Sequence, residues 1–355
     1  MPAAIPIVIA ADELVAFVSR LFVAAGLSET AAKTIAEGLV EADLDGVPSH
    51  GVMLVDLYVD RLRHGSISLD ETAKIISDNG CAVVMDAGHA FGHLTGTQSM
   101  SAAIARAKQY GAGVVAVRHG FHFGTARRYA VMATDEGCIG VVMCNTRPLM
   151  PAPGGAERVV GNNPIAIAVP SDTSVPLVLD MATSEAAMGK IRMAEKANQA
   201  IPANWAVRND GSPTTAPNEA IAGMLLPAAG PKGFGLSLMI DLMCGLLSSG
   251  AIGQSVMPLY GDPTVPYDCS HLFIAVDVAH FCDLGSFRSQ AGAAAERIRQ
   301  GRRAPGTTQL FLPGEPEWQR HQNANGVVQL ERSVADALIK IAQELKVSAE
   351  PLNTI

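Results

Sequence analysis

Hydrophobic periodicity changes near residue 80, and this change limits the folds open to the chain. Before it, apolar residues recur at three- and four-residue spacing in segments 13–25 and 30–42, as in amphipathic helices. After it, short β-branched segments alternate with helical stretches at 95–110 and 125–136. The expected strands are 82–85, 113–117, 139–144, 165–169, 177–180 and 272–278. This alternation predicts an α/β protein.

The remaining segments complete this prediction. Asp12 and Ser28 are candidate N-caps of the first two helices, and Gly26 is a candidate stop. A third helix is expected directly after Pro48-Ser49-His50. This third helix covers 51–63, and further helices are expected at 235–247, 290–300 and 333–345, with a long Pro- and Gly-rich loop at 302–317.

The segment Gly111-Ala-Gly113-Val-Val-Ala116 matches the G-x-G-x-x-A dinucleotide pattern by its letters. That pattern binds a pyrophosphate when a strand precedes the glycines and a helix N-terminus follows them. Here a helix precedes and a strand follows. The segment is therefore interpreted as a helix C-cap that turns into a strand, and any nucleotide must bind elsewhere.

Composition excludes several classes of function. The net charge is −8 without a basic cluster, which argues against nucleic-acid binding. The apolar run 236–247 is too short to span a bilayer, and the apolar stretch 5–11 lacks the preceding basic residues of a secretory signal. The six cysteines show no C-x-x-C spacing, and Cys81, Cys138, Cys144 and Cys244 lie among apolar residues. Buried free thiols and a cytoplasmic location are expected.

Two histidines are candidates for proton transfer, since the imidazole pKa lies near neutrality. His50, next to Ser49, sits at a loop-to-helix junction, where Ser49 could instead simply cap a helix. His122 follows the strand 113–117, a common position for catalytic groups. His119 and His122 also have a spacing seen in zinc sites, but no further ligand stands at partnered spacing.

Two further segments could support chemistry. Asp180 ends an apolar strand, where a carboxylate could orient a histidine or cap a helix that starts near Ser184. Lys232 lies in Gly230-Pro-Lys-Gly233, which opens a helix and suits a phosphate or a carboxylate.

Six motifs occur together and in order along nearly the whole chain. They are Asp45-Gly-Val-Pro-Ser-His-Gly51, His122-Phe-Gly124, Gly161-Asn-Asn-Pro164, Asp180-Met-Ala-Thr-Ser184, Pro231-Lys-Gly233 and Leu312-Pro-Gly-Glu315. With these motifs the chain resembles the malate/L-lactate dehydrogenase family, which includes sulfolactate, ureidoglycolate and 2,3-diketogulonate oxidoreductases and piperideine-2-carboxylate reductases.

The resemblance implies a fold that differs from the doubly wound Rossmann arrangement. It implies a largely antiparallel nucleotide-binding sheet flanked by helices at 81–284. A helical substrate and dimerisation domain is expected from both chain ends, residues 1–80 with 285–355. It also implies a homodimer.

The resemblance further implies the residues of the site. His50 and His122 match the family's active-site histidines, and either could be the proton donor or acceptor. Asp180 is expected to position an imidazole. Residues expected to contact NAD or NADP are His122, Gly124, Asp180, Met181, Ala182, Thr183, Ser184, Lys232, Gly233, Pro313, Gly314 and Glu315. Ser49, Thr146 and Arg147 are expected at the substrate.

One position departs from the family pattern. Several members carry an arginine four residues after the first histidine, where it can hold the substrate carboxylate in a bidentate fashion. This chain has Leu54 there, so Arg147 is the first candidate to replace it, or else the substrate has a less polar tail.

The sequence thus predicts an NAD(P)-dependent oxidoreductase of a small 2-hydroxy or 2-oxo acid, or of a cyclic 2-imino acid, without membrane or nucleic-acid partners. The alternative is a metal-dependent hydrolase or lyase that uses His119 and His122.

Overall fold

The computed structural model describes residues 6–353, a mixture of helices and strands. Its α-helices are α1 (Ala11–Ala24), α2 (Glu29–Leu44), α3 (Val55–Arg63), α4 (Gly92–Tyr110), α5 (Ala126–Asp135), α6 (Met188–Lys196), α7 (Pro217–Ala222), α8 (Pro231–Ser248), α9 (Leu284–Arg299), α10 (Glu315–Ala324), α11 (Arg332–Leu345) and α12 (Glu350–Asn353). Short 3-10 helices lie at Pro48–His50, Val52–Leu54, Gly253–Ser255 and Val278–His280.

The strands form one large sheet and three small pairs. They are β1 (Ile7–Ala10), β2 (Lys74–Asn79), β3 (Ala82–Asp86), β4 (Ala112–Gly120), β5 (Cys138–Cys144), β6 (Met150–Pro151), β7 (Arg158–Val160), β8 (Ile165–Val169), β9 (Leu177–Met181), β10 (Ala206–Val207), β11 (Met224–Leu225), β12 (Cys269–Asp277) and β13 (Val327–Leu330). The seven-stranded sheet has the order β2-β3-β4-β12-β5-β8-β9. Only β3 and β4 pair in parallel, so the expected antiparallel, non-Rossmann sheet is confirmed.

Both faces of the large sheet are covered by helices. Val115 and Val117 of β4 belong to the same buried core as Tyr129 of α5. Ala116, which lies between the two valines, packs instead with Ile240 of α8. This alternation follows from the two-residue period of a strand and explains why β4 is apolar from Ala112 to Val117.

The two chain ends meet in the structure. Strand β1 pairs antiparallel with β13, with Ile7 opposite Leu330. Helix α11 packs against α1 and α3, and Leu338 of α11 shares a continuous buried core with the N-terminal helices and the sheet. Strand β2, within segment 1–80, pairs with β3 of the large sheet. The division into two domains therefore stays a prediction.

Several local predictions are confirmed. Ser28 caps α2, because its hydroxyl accepts a hydrogen bond from the amide of Ala31 at 3.2 Å. Gly111 ends α4 in the left-handed conformation, with φ 86°, and β4 follows at once. The dinucleotide-like letters thus form a helix C-cap, because a positive φ favours glycine.

Other local predictions are wrong. Helix α1 begins at Ala11 with Ala10 as its N-cap, so Asp12 lies inside the first turn. Helix α3 begins at Val55, because two 3-10 turns occupy the residues from Pro48 to Leu54. The loop predicted at 302–317 ends at Glu315, where α10 begins. Ile5 of the apolar stretch 5–11 lies outside the described residues, and β1 occupies most of the remainder.

The cysteines follow the prediction in part. Cys138, Cys144 and Cys244 are buried free thiols, as expected, and Cys269 is buried as well. Cys81 is exposed, which corrects its expected burial, because it lies in the tight turn between β2 and β3. Within residues 6–353, the structure contains no helix long and apolar enough to cross a membrane.

Candidate active site

The structure brings His50 and His122 together. His50 ends the 3-10 turn Pro48–His50, and His122 lies two residues after the end of β4. Their ring centroids lie 5.3 Å apart with an interplanar angle of 34°. Both side chains are half-buried. Two motifs from distant parts of the sequence therefore form one site, where both imidazoles can reach the same small molecule.

Asp43 and Gly51 hold the turn that carries His50. The carboxylate of Asp43, near the end of α2, accepts a hydrogen bond from the amide of Val52 at 2.9 Å. A Cβ atom on Gly51 would lie 2.1 Å from Asp43 Oδ1, so any larger residue would displace this carboxylate from its present position. Burial raises the pKa of Asp43 to about 7. The sequence motif contains Gly51, but its physical partner Asp43 was not identified from sequence.

Tyr58 positions His122. This residue of α3 is fully buried, and its hydroxyl forms a hydrogen bond with His122 Nδ1 at 2.6 Å. The Tyr58 ring packs edge-on against Phe91 and Phe121. The hydroxyl therefore engages one ring nitrogen of His122 and leaves Nε2 for another partner. Sequence analysis did not single out Tyr58, because it occupies an ordinary buried position of an amphipathic helix.

Burial keeps both active-site imidazoles neutral at neutral pH. It lowers the pKa of His50 to about 4. It also lowers the pKa of His122 well below its usual value, and the nearby His50 and His93 lower it further. Ser49, expected at the substrate or as a helix cap, has its hydroxyl 3.0 Å from His50 Nδ1. A neutral imidazole can accept a proton, which a permanently charged one cannot.

A third histidine lies behind this pair. His93 of α4 is fully buried, and neither of its ring nitrogens has a hydrogen-bond partner among the described residues. Its ring packs against Gly124, where a Cβ atom would lie 2.8 Å from His93 Nε2. Burial lowers the pKa of His93 to about 3, so this imidazole is uncharged where it packs beside the site.

Asp180 has a different partner from the one expected. One of its oxygens accepts a hydrogen bond from the amide of Arg127 at 2.9 Å, in the first turn of α5. None of the hydrogen bonds or ion pairs between described residues joins Asp180 to His50 or His122, which corrects its expected role in orienting an imidazole. Solvent reaches the carboxylate, but the protein around it raises the pKa of Asp180 to about 6. Asp180 instead satisfies a free amide at the start of α5.

Thr146 is fixed by the Gly161-Asn-Asn-Pro164 motif. Its amide donates to Asn163 Oδ1 at 2.8 Å, and its hydroxyl donates to Asn162 Oδ1 at 3.1 Å. Asn163 is itself buried and donates to the carbonyl of Ser237 in α8. The motif thus ties the loop after β5 to the helix on the far face of the sheet.

Arg147 lines a cavity of about 490 Å³ together with Arg158, Glu157 and Gln254. It is half-buried and makes no hydrogen bond or ion pair with any residue from 6 to 353. Burial and the positive charge of Arg158 lower the pKa of Arg147. Leu54, where several family members have arginine, is buried in the core. The lining of this cavity does not include His50 or His122.

The stretches expected to contact a coenzyme lie along β9 and just after it. The amide of Val178 donates to the carbonyl of Pro313 at 3.3 Å, and a Cβ atom on Gly314 would lie 2.7 Å from the Val178 carbonyl. Gly233 lies in the first turn of α8, where a Cβ atom would lie 2.8 Å from the Thr183 carbonyl. These close backbone approaches require glycine at both positions.

The other residues of these stretches have distinct surroundings. Thr183 is fully buried, and its hydroxyl has no partner among the described residues. Lys232 is exposed at the positive end of α8, while Met181 and Ala182 are half-buried. An orphaned hydroxyl, a lysine and a helix N-terminus suit the polar and phosphate groups of a nucleotide. These residues therefore fit a nicotinamide nucleotide.

Two further residues of these stretches have hydrogen-bond partners within the protein, and their expected coenzyme contacts stay a prediction. Glu315 is buried and accepts from the amide of Leu312 at 2.9 Å and from Arg299 Nε at 3.3 Å, which closes its own loop. Ser184 donates its hydroxyl to the carbonyl of Ala186.

The histidines of the metal-dependent alternative are separated. His119 lies with His89 and Asp268, whereas His122 lies with His50 and Tyr58. Among residues 6–353, no group of possible metal ligands contains both His119 and His122. Their three-residue spacing falls at the end of β4, so it does not place them on one face as a helix would.

Comparison with known proteins agrees with this architecture. The family model of malate/L-lactate dehydrogenase matches residues 9–339. A malate dehydrogenase of Pyrococcus abyssi is 37% identical over 312 residues, which is 86% of this chain and 85% of the relative. A ureidoglycolate dehydrogenase (NAD(+)) of Escherichia coli O157:H7 is 33% identical over 328 residues, covering 91% of this chain and 93% of the relative.

A solved structure has the same fold. The sulfolactate dehydrogenase from Methanocaldococcus jannaschii superposes with a TM-score of 0.92 at 32% identity, covering 97% of this chain and 99% of that one. The chain belongs to the malate/L-lactate dehydrogenase family.

Proposed function

We propose that this protein transfers a hydride between a nicotinamide coenzyme, NAD or NADP, and C2 of a small 2-hydroxy or 2-oxo acid. A cyclic 2-imino acid is included among the possible substrates. The proposal rests on the closeness of two imidazoles, those of His50 and His122, whose ring centroids lie 5.3 Å apart. When bound, the nicotinamide supplies or accepts the hydride at C4.

The histidine pair handles the proton. In the oxidation direction, a neutral imidazole accepts the hydroxyl proton of the acid as the C–H bond breaks. In the tautomer where Nδ1 of His122 donates to Tyr58, Nε2 carries the free electron pair that this step requires. In the reduction direction, the same nitrogen must first be protonated. The lowered pKa values keep both imidazoles unprotonated and thus able to accept a proton, although they also reduce the driving force for that transfer.

The remaining site residues bind and orient. Arg147 is our candidate for the substrate carboxylate, because its guanidinium is half-buried and makes no ion pair with a described residue. Thr146 offers a hydroxyl fixed by Asn162. Asp180, Thr183, Lys232 and the Pro313–Gly314 loop are proposed to line the coenzyme site.

Substrate and coenzyme can be tested together. Pyruvate, oxaloacetate, 3-sulfopyruvate and a cyclic 2-imino acid are each mixed with the protein and either NADH or NADPH, and loss of absorbance at the coenzyme's long-wavelength band is followed. At least one combination should react. If none reacts with folded protein, the proposed activity is wrong for these substrate classes.

The proton-transfer residues are tested in the same assay. His50→Asn and His122→Asn should each lower kcat about a hundredfold or more when the residue transfers the proton. His64→Asn is the matched control, because His64 is exposed at the end of α3. Near-wild-type turnover by the double variant His50→Asn/His122→Asn would exclude the proposed role of the pair.

We further propose that the protein is a homodimer and that α8 contributes to its interface, in addition to the dimerisation domain expected from both chain ends. Apolar side chains recur along one exposed face of this helix: Leu236, Met239, Met243, Leu246 and Leu247. Such a patch on a soluble protein is typical of an interaction surface. A Leu246→Glu variant should lower the mass measured by light scattering from that of a dimer to that of a monomer, whereas a monomeric wild-type protein would contradict the proposal.

A further inference from the structure

A second group of titratable side chains lies outside the site described above. His89 follows β3, His119 lies near the end of β4, and Asp268 immediately precedes β12. Each offers one possible ligand atom, and these three atoms lie within 4.8 Å of one another. All three side chains are half-buried, so an ion from solvent can reach them.

The contacts within this group bring its donors close to one another. His119 Nδ1 lies 2.9 Å from Asp268 Oδ1. The rings of His89 and His119 have their centroids 5.4 Å apart at an angle of 62°. Ligands of a tetrahedral zinc ion lie about 3.4 Å apart, given metal–ligand bonds of about 2.1 Å. The group therefore needs only small shifts to surround such an ion.

Two independent features indicate that the group is built for a ligand. Nδ1 of His89 is buried and has no hydrogen-bond partner among the described residues. The backbones of His89, His119 and Asp268 all adopt the left-handed conformation, with φ of 61°, 51° and 54°. This conformation is uncommon for residues other than glycine and costs free energy at each position. Three such residues converge here.

A second carboxylate stands behind His119. Asp86 Oδ2 lies 3.9 Å from His119 Nε2 and accepts a hydrogen bond from Arg118 Nε at 2.9 Å. With a metal on Nδ1 of His119, its Nε2–H would face this carboxylate. Carboxylates in that position orient metal-binding imidazoles and increase their basicity.

We propose that His89, His119 and Asp268 bind a divalent transition-metal ion of the zinc class through two imidazole nitrogens and one carboxylate oxygen. A water molecule takes the fourth position. The ion would join the chain segments at the ends of three neighbouring strands, β3, β4 and β12. The inference does not rest on the proposed dehydrogenase reaction.

The proposal is tested by titrating chelator-treated full-length protein with Co²⁺ and then displacing it with Zn²⁺. The wild-type protein should take up one equivalent of Co²⁺ and show the intense visible absorption of tetrahedral cobalt. Variants His89→Gln and Asp268→Asn should bind at least tenfold more weakly. His280→Gln is the matched control, because His280 pairs with Asp277 at 2.7 Å but belongs to no three-ligand group.

A second measurement covers variants that fold poorly. Zn²⁺ should raise the Tm of the wild-type protein and of His280→Gln but not that of His89→Gln. Failure of the wild-type protein to bind one equivalent of either ion would overturn the proposal, whatever the variants do. Equal binding by the wild-type protein and a folded His89→Gln variant would overturn it as well.

Discussion

The hydroxyl of Tyr58 should be required for turnover and not only for folding. The change Tyr58→Phe removes one oxygen, which lies 2.6 Å from His122 Nδ1. The ring keeps its edge-on contacts with Phe91 at 5.6 Å and Phe121 at 5.3 Å between centroids. The substitution therefore tests the hydrogen bond with little change in packing.

The expected effect on stability follows from burial. Tyr58 is fully buried, so its loss leaves His122 Nδ1 without the partner it has now. A buried polar group left unpaired costs about 1–3 kcal/mol of unfolding free energy. The effect on rate is separate. Correctly placed proton transfer contributes about 10²–10⁴-fold, and an imidazole free to rotate or change tautomer should forfeit at least about tenfold of this in kcat.

Tyr129→Phe provides the matched control. Tyr129 is also fully buried, and its hydroxyl donates to the carbonyl of Phe123 at 2.5 Å without contacting a histidine nitrogen. Urea unfolding should show similar destabilisation for both variants, while initial-rate kinetics should show a loss of kcat for Tyr58→Phe alone. If Tyr58→Phe keeps a kcat within about twofold of the control, Tyr58 does not position His122 for the reaction.

Three further changes are expected to have measurable effects. Gly51→Ala should lower the unfolding free energy by about 2 kcal/mol or more, because its Cβ would lie 2.1 Å from the Asp43 carboxylate. It should lower kcat as well. An unchanged urea midpoint would contradict this prediction. Asp43 has its pKa raised to about 7, so it stabilises the fold below pH 4 and loses this contribution as the pH rises through 7. Asp43→Asn should therefore gain about 1–2 kcal/mol over the wild type between pH 4 and pH 8, allowing for solvent screening, and equal shifts at both pH values would argue against the raised pKa. Arg147→Met should raise KM for the acid substrate about 10- to 100-fold, because this factor corresponds to the free energy of one hydrogen bond to a charged group. An unchanged KM would show that another cation holds the carboxylate.

Local periodicity predicted most elements of the large sheet but not their order. The β-branched segments at 113–117, 139–144 and 272–278 correspond to β4, β5 and β12. In the structure, β12 lies between β4 and β5, although it is far from both in sequence. Strand neighbours of this kind depend on long-range packing, which a single sequence does not contain. The antiparallel sheet was expected only because the motifs resembled a family.

The site, like the strand order, could be predicted from the sequence only in part. His50 and His122 were identified because each lies in a motif with recognisable neighbours, and the structure adds that they share one space. Asp43 and Tyr58 were missed because nothing in the local sequence distinguishes them from other residues of an amphipathic helix. Asp180 was found, but its partner was wrong, because the start of α5 approaches it from a different part of the chain. Contacts that cross between elements need coordinates.

The closeness of His50 and His122 also limits what single substitutions can assign. Protonating one imidazole places a positive charge near the other and disfavours its protonation, so at most one of the two is a cation at any step of the reaction. A variant that lacks His50 relieves this repulsion and raises the pKa of His122. The remaining imidazole can then take over part of the proton transfer. If each histidine can replace the other, the double substitution should raise the activation free energy by more than the sum of the two single increases. A double variant no slower than the slower single variant would instead assign the proton to one residue.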